Sequence, residues 1–242
     1  MKRCLFLLSL AYASVTHVIC AAPVHDAAFE GDVQRVAAII EADSASLNIM
    51  NEDVTPLYLA AQNGHIDLVR FLLEKGANTE LVDEDGVTPL MVAARNGHLD
   101  VVTALLDGGA DIKARGNHQM WTVLMMACWH GHADVAKLLL ERGASPYDRG
   151  RSGWTPLLVA VQEGRLDVVR FLLESGEDIE QKSGFGQTAL YVAVLHGHAD
   201  VVRFLIKAGA DIHTKIGDTT LLKIAREKGH KDVVRILLKA LR

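Results

Sequence analysis

The chain has 242 residues, half of them apolar and 23% charged, with a formal net charge of −5. That apolar fraction excludes a disordered tail protein, and the acidic balance argues against general nucleic-acid binding, which needs a basic footprint. Twenty glycines stand beside only five prolines without any low-complexity stretch, so the glycines are either scattered in loops or hold a repeated slot.

Residues 1–20 differ from the rest of the chain. Lys2 and Arg3 form a basic start, Cys4 to Leu10 are apolar apart from Ser9, and the first acidic residue is Asp26. This is the order of a secretory signal peptide: basic, apolar, then small residues such as Ala11-Tyr12-Ala13 or the Cys20-Ala21 pair before a cut. The alternatives are an amphipathic capping helix, or an anchor that barely reaches the roughly 20 apolar residues of a membrane span. Cleavage would remove two basic residues and no acid, leaving 23 basic against 30 acidic residues and a net charge of −7. It would also remove Cys4 and Cys20. Cys128 would then have no intrachain partner, and it reads as a small buried hydrophobe.

From residue 22 onward the chain repeats. Gly31, Gly64, Gly97, Gly131, Gly164, Gly197 and Gly229 are separated by 33, 33, 34, 33, 33 and 32 residues. All but the first are followed by His or Arg: His65, His98, His132, Arg165, His198 and His230. A second ladder holds Gly76, Gly109, Gly143, Gly176 and Gly209. A third slot reads Thr55-Pro56-Leu57, Thr88-Pro89-Leu90 and Thr155-Pro156-Leu157, with weaker forms at Thr122, Thr188 and Thr220 and an Ala22-Pro23-Val24 variant.

Each unit can be read physically. Thr caps a helix, and Pro at the first helical position loses no hydrogen bond. Leu57, Ala60 and Ala61 give a short first helix with a small-residue face, which Gly64 ends in a left-handed turn. Ile66, Val69, Leu72 and Leu73 line one face of a second helix that Gly76 ends. Asp85-Gly86 then marks a turn. Asp67, Asp100, Asp134, Asp167, Asp200 and Asp232 sit near the second-helix starts, where they favour the helix dipole.

The run from Thr88 to Val102, with Leu105-Leu106 and Gly109-Ala110-Asp111 behind it, resembles an ankyrin repeat. The resemblance covers 22–242 in seven units: 22–54, 55–87, 88–121, 122–154, 155–187, 188–219 and 220–242. It implies an all-α solenoid of helix-turn-helix units linked by extended, hairpin-like turns. The last unit ends after its second helix, and Lys223, Arg226, Lys228 and Lys231 give it the polar outer face of a cap.

The resemblance further implies a non-enzymatic scaffold, without cofactor, that binds a protein through turn tips and a concave face of first helices. Position then predicts solvent-facing ladders: Val54, Val87, Trp121, Trp154, Gln187 and Thr219 before the Thr slot, and a helix ladder that includes Arg95, Trp129, Gln162 and Leu195. All three tryptophans fall on them. Trp121, Trp129, His130, Arg151, Trp154, Phe185, Leu195 and His196 are therefore the expected contact residues, centred on repeats four and five. The competing reading has the tryptophan rings packing on neighbouring turns.

His130-Gly131-His132 and His196-Gly197-His198 invite a metal reading, but zinc wants three or four converging ligands and no Cys lies near. No nucleophile elbow, Walker loop or H-E-x-x-H is present. A ligand-binding or enzymatic role would have to use His130, Glu163 and His196. Arg149, Arg151 and Lys182 make a local basic spot in an otherwise acidic chain. The expected protein is a secreted or periplasmic monomer without a membrane span after signal removal. The alternative is a cytoplasmic adaptor.

Overall fold

The computed structural model describes residues 23–116, 119–217 and 219–242. The expected leader, residues 1–20, lies outside the described residues. The chain falls into two compact units. One spans residues up to 93 together with 98–111, and the other comprises 94–97 and 112–242.

In the first unit, α1 covers residues 23–30 and is followed by α2 (Val33–Ala42), α3 (Pro56–Asn63), α4 (Ile66–Glu74) and α6 (Leu99–Asp107). The intervening α5 (Pro89–Asn96) lends its last turn to the second unit. A 3-10 turn, Ser44–Asn48, replaces the second glycine that the first repeat lacks. The second unit holds four helix pairs: α7 (Val123–His130) with α8 (Ala133–Glu141), α9 (Pro156–Gln162) with α10 (Leu166–Glu174), α11 (Ala189–His196) with α12 (Ala199–Lys207), and α13 (Leu221–Glu227) with α14 (Lys231–Ala240). First helices stack on first helices, α7 on α9 on α11 on α13, and second helices stack likewise from α8 to α14.

The expected caps are in place. The hydroxyls of Thr55, Thr88, Thr122, Thr155, Thr188 and Thr220 each accept from the backbone N–H three residues on, at 3.1 to 3.3 Å. Thr55, Thr122, Thr155 and Thr188 are themselves buried, so each hydroxyl also meets its own hydrogen-bonding need. Behind the caps the first helices are apolar almost all round. Residues 123–128 are buried, and Leu157 to Val161 are fully enclosed between neighbours. The second helices are one-sided: Leu68, Val69 and Leu72 of α4 are fully buried while Asp67 and Arg70 face solvent. Small residues such as Ala60, Ala61, Ala160 and Ala193 are also fully buried. Their small side chains let neighbouring first helices approach closely.

The turns between pairs carry short antiparallel ribbons. β1 (Arg115–Gly116) pairs with β2 (Trp121–Thr122), and β3 (Lys215–Ile216) pairs with β4 (Thr219–Thr220). A 3-10 turn, Arg151–Gly153, forms the equivalent tip of the fourth repeat.

Candidate functional site

Two systems of contacts position the candidate surface. The first is a clamp between successive repeats. His65 Nε2–H donates to the Phe29 carbonyl at 2.8 Å, His98 to Gln62 at 3.0 Å and His132 to Arg95 at 3.0 Å. His198 donates to Gln162 at 2.7 Å and His230 to Leu195 at 3.1 Å. Where Arg165 replaces the histidine, its Nε–H donates to the Trp129 carbonyl at 3.0 Å. Each acceptor lies in the last turn of a first helix, where carbonyls have no partner within the helix. The ring crosses the preceding repeat's glycine to reach it. A Cβ at Gly64, whose φ is +76°, would stand 2.7 Å from His98 Nδ1, so only glycine fits both the turn and the ring. His132 and His198 are thus structural, as their place in the repeated slot predicts.

The second system joins the hairpin tips of repeats three to five. Arg151 N–H donates to the Gln119 carbonyl at 2.7 Å, and Gly184 N–H donates to the Ser152 carbonyl at 2.7 Å. The Arg149 guanidinium donates to the carbonyls of Gly153 at 3.0 Å and Lys182 at 2.8 Å. Arg115 donates to the Arg149 carbonyl at 2.9 Å and pairs with Asp148 at 3.1 Å. Three successive tips are therefore bonded backbone to backbone.

The expected contact residues all lie in the second unit, but they are not equally available. Trp121 and Trp129 pack on each other, with ring centroids 4.8 Å apart and planes tilted by 46°. Trp121 Cδ1 also lies over Gly150, where a Cβ would meet it at 3.0 Å. Trp154 is half-buried beside the tip turn, and its carbonyl accepts from Gly150 N–H at 2.9 Å. The solvent-facing expectation is corrected here: all three tryptophans are half-buried, and Val87 of the same ladder is only 3% exposed. The Trp121–Trp129 pairing belongs to the packing alternative, since large rings shed water against each other where a groove allows. Phe185 is 66% exposed, and Arg151, His130 and His196 are exposed as expected. Leu195 is half-buried. Positional reasoning missed Met120 and Tyr147, both exposed, and gave Arg149 no structural part.

His130 stacks on His132 with centroids 6.4 Å apart, and His196 on His198 at 6.1 Å. Burial lowers the His130 pKa, helped by the charges of Arg95, His132 and Arg165. Burial and His198 lower that of His196, with Glu163 opposing. Both rings are therefore neutral near pH 7 and can donate or accept a hydrogen bond at a partner surface. Among the described residues no three His, Cys, Asp or Glu side chains converge to hold a metal ion. Depressions of about 440 and 450 Å³ lie elsewhere, lined by Arg203 and Asp232 and by Lys137 and Phe171 respectively.

One buried group stands apart. Glu177 follows α10 where Ala77, Ala110, Ala144 and Ala210 stand in other repeats. It is 6% exposed, and neither carboxylate oxygen has a hydrogen-bond partner. Burial pushes its pKa up to about 8, so the side chain is mostly neutral near pH 7. Burial foremost, and then the Glu177 charge, raise the Cys128 thiol. That cysteine is fully buried on α7, as its apolar position predicts, and is no ready nucleophile.

The family described as ankyrin repeats, in three copies, matches at residues 24–116, 115–183 and 176–241. Among solved structures, the chain is similar to the ankyrin repeat domain of Bcl-3, described as a unique member of the IkappaB protein family. The two are 31% identical, covering 89% of this chain and 97% of that one, with a TM-score of 0.74. It is also similar to the human ASB11 ankyrin repeat domain, at 26% identity, covering 90% of this chain and 97% of that one, with a TM-score of 0.79. The search of curated proteins returned no match. The recurring threonine caps, the glycine-bound histidine clamps and the match from residue 24 to 241 lead to one conclusion: the chain belongs to the ankyrin repeat family.

Proposed function

We propose that the chain is a monomeric protein-binding scaffold whose contact surface is centred on the tips and first helices of repeats four and five and reaches into repeat six. Ankyrin repeat domains are generally protein-interaction modules, and proteins built from them are typically non-enzymatic. The observation that carries the reading is the bonded row of tips. Arg151 and Gly184 tie neighbouring tips at 2.7 Å, so exposed Phe185 and half-buried Trp154 are presented on a fixed frame. A fixed frame loses little ordering entropy when it docks, and aromatic residues and arginine are the usual anchors of such surfaces. His130 and His196, both neutral near pH 7, add polar contacts on the first-helix side.

The deciding experiment is a crosslinking pull-down with wild type and the Trp121→Ala/Trp154→Ala double variant. The expected result is a partner retained by wild type and lost by the variant, since one anchor contributes about 2 kcal/mol or more of binding. Equal retention by both would remove the aromatic residues from the site.

Export is proposed with the same scaffold role. The basic, apolar, small-residue order of residues 1–20 supports it, and among the described residues no helix is long and apolar enough to cross a membrane. N-terminal sequencing of the mature protein is expected to begin near Ala21. A sequence starting at Met1 or Lys2 would show that the segment is retained.

A further inference from the structure

The tips of the second unit carry a charge that the rest of the chain does not explain. In a protein of net charge −5, Arg149, Arg151 and Lys182 come together with no acidic partner among the described residues. Arg149 is spent on two backbone carbonyls, which neutralise none of its charge. Asp148, beside Arg149 in sequence, is taken by Arg115. Exposed Arg151 and Lys182 flank Trp154 and Phe185 along the bonded row. The stack uses Arg149 to tie its tips, but it needs neither Arg151, Lys182 nor an exposed ring at Phe185 for its own stability. Three clustered like charges repel, and a 66% exposed Phe gains nothing from the fold.

We infer that these tips, from residue 149 to 187, bind an acidic polypeptide segment that carries apolar side chains among its Asp and Glu residues. This rests on the protein-binding reading above and names the partner's chemistry. The carboxylates would meet Arg151 and Lys182 while the positive end of Arg149 adds to the local field. The apolar side chains would cover Phe185 and the open edge of Trp154. An arginine between aromatics suits carboxylates, which it can take in a bidentate geometry. The acidic balance of the chain as a whole favours a protein over a nucleic acid, because a long polyanion would be repelled outside the tips.

The test is selection of 16-residue peptides from a random phage-displayed library on immobilised protein of full length. The survivors are then measured on the Arg151→Glu/Lys182→Glu variant. Both side chains are exposed and make no hydrogen bond to the described residues, so this variant folds, as an unchanged circular dichroism melt would verify. Arg149 is left alone because it holds the tips together.

The expected survivors are enriched in Asp and Glu with interspersed aliphatic or aromatic residues. They lose about tenfold or more in affinity on the variant and weaken severalfold between low and high salt. Survivors without acidic enrichment that bind both proteins alike, yet are lost on Trp121→Ala/Trp154→Ala, overturn the acidic partner and leave the protein-binding reading standing. A 16-nucleotide thymidine strand that binds as tightly as the peptides, with the same sensitivity to charge reversal, overturns it in favour of phosphate recognition. Concentration-dependent self-association lost on the same variant overturns it in favour of a second copy, whose own acidic tips would be the ligand. No enrichment over bare support overturns both readings.

Discussion

The tips of repeats two and five are the same turn with opposite chemistry. In the first unit, Asp83 Oδ1 accepts from the N–H groups of Asp85 at 3.0 Å and Val87 at 2.9 Å. In the second, Ser183 Oγ accepts from Phe185 at 3.2 Å and Gln187 at 3.3 Å. Asp83-Glu84-Asp85-Gly86 has thus become Ser183-Gly184-Phe185-Gly186 without loss of the turn. Three acids are gone, and an exposed ring stands in place of one of them. Glycine in place of Glu84 also matters for the backbone: a Cβ at Gly184 would lie 2.7 Å from the Ser152 carbonyl that its N–H now reaches. Among the described residues, no backbone bond joins the tips of repeats one and two in this way. Asp83 is tied instead to helix α3, whose Tyr58 O–H donates to it at 2.7 Å. The turn's shape is set by one short acceptor and a glycine, which leaves its other positions free to diverge toward a surface function.

The comparison predicts where the units should behave alike and where they should part. The clamps are common to both, and they should give the largest effects. Gly64→Ala and Gly164→Ala should each destabilise by about 2–3 kcal/mol, since each puts a Cβ against an imidazole in a left-handed turn. Gly131→Ala should cost roughly half as much, about 1 kcal/mol, because the atom it meets is the flexible Arg165 stem. Urea denaturation of the three variants checks the ranking; equal losses would break the proposed role of the ring.

Glu177 comes next, since its counterpart in the first unit is Ala77. Burial raises its folded pKa to about 8, above the usual carboxylate value of 4.5. Below about pH 4.5 both folded and unfolded chains hold the proton. As pH rises from there to about 8, only the folded state keeps it, so this group's contribution to stability falls across that window and then levels off. Glu177→Ala should therefore stabilise at pH 9 by about 2 kcal/mol and do much less at pH 4. Melting curves at the two pH values decide it. A variant that melts lower than wild type at pH 9 would mean that the carboxylate has found a partner.

A smaller effect should follow from turning the fifth tip into the second. Gly184→Glu removes the cross-tip bond at about 1 kcal/mol, and it should speed amide exchange at residue 184. Exchange that stays slow would mean the neighbouring turn has shifted to keep the bond. The smallest effect is expected at the other end of the comparison. Glu84→Lys lies on an exposed tip and should change stability by less than about 0.5 kcal/mol. It should also leave binding of any partner captured through Phe185 within about twofold.

Much of this was readable from the residues. The 33-residue period, the Thr caps, the left-handed glycines and the structural role of the Gly-His histidines all follow from local geometry, and all are found. The Ala-to-Glu exchange at residue 177 was also open to reading, because four other repeats hold Ala in that slot. The side-chain direction at the tips was not. Val54, Val87, Trp121 and Trp154 share one place in the period, yet Val87 is buried and the tryptophans are half-buried. A period gives the phase of a residue within its own repeat, whereas exposure depends on what the next repeat places above it.

That division runs through the whole molecule. Sequence alone determined the repeat period, the threonine caps and the left-handed glycine turns, because caps, glycines and helical periodicity act over a few residues. Only the tertiary structure decided that Trp121 would rest on Trp129 and that Arg151 and Gly184 would tie three tips together. It also decided that Glu177 would be enclosed without a partner. Each of these joins or encloses residues from different turns or repeats. Such contacts are settled by how the repeats stack, which no single repeat encodes.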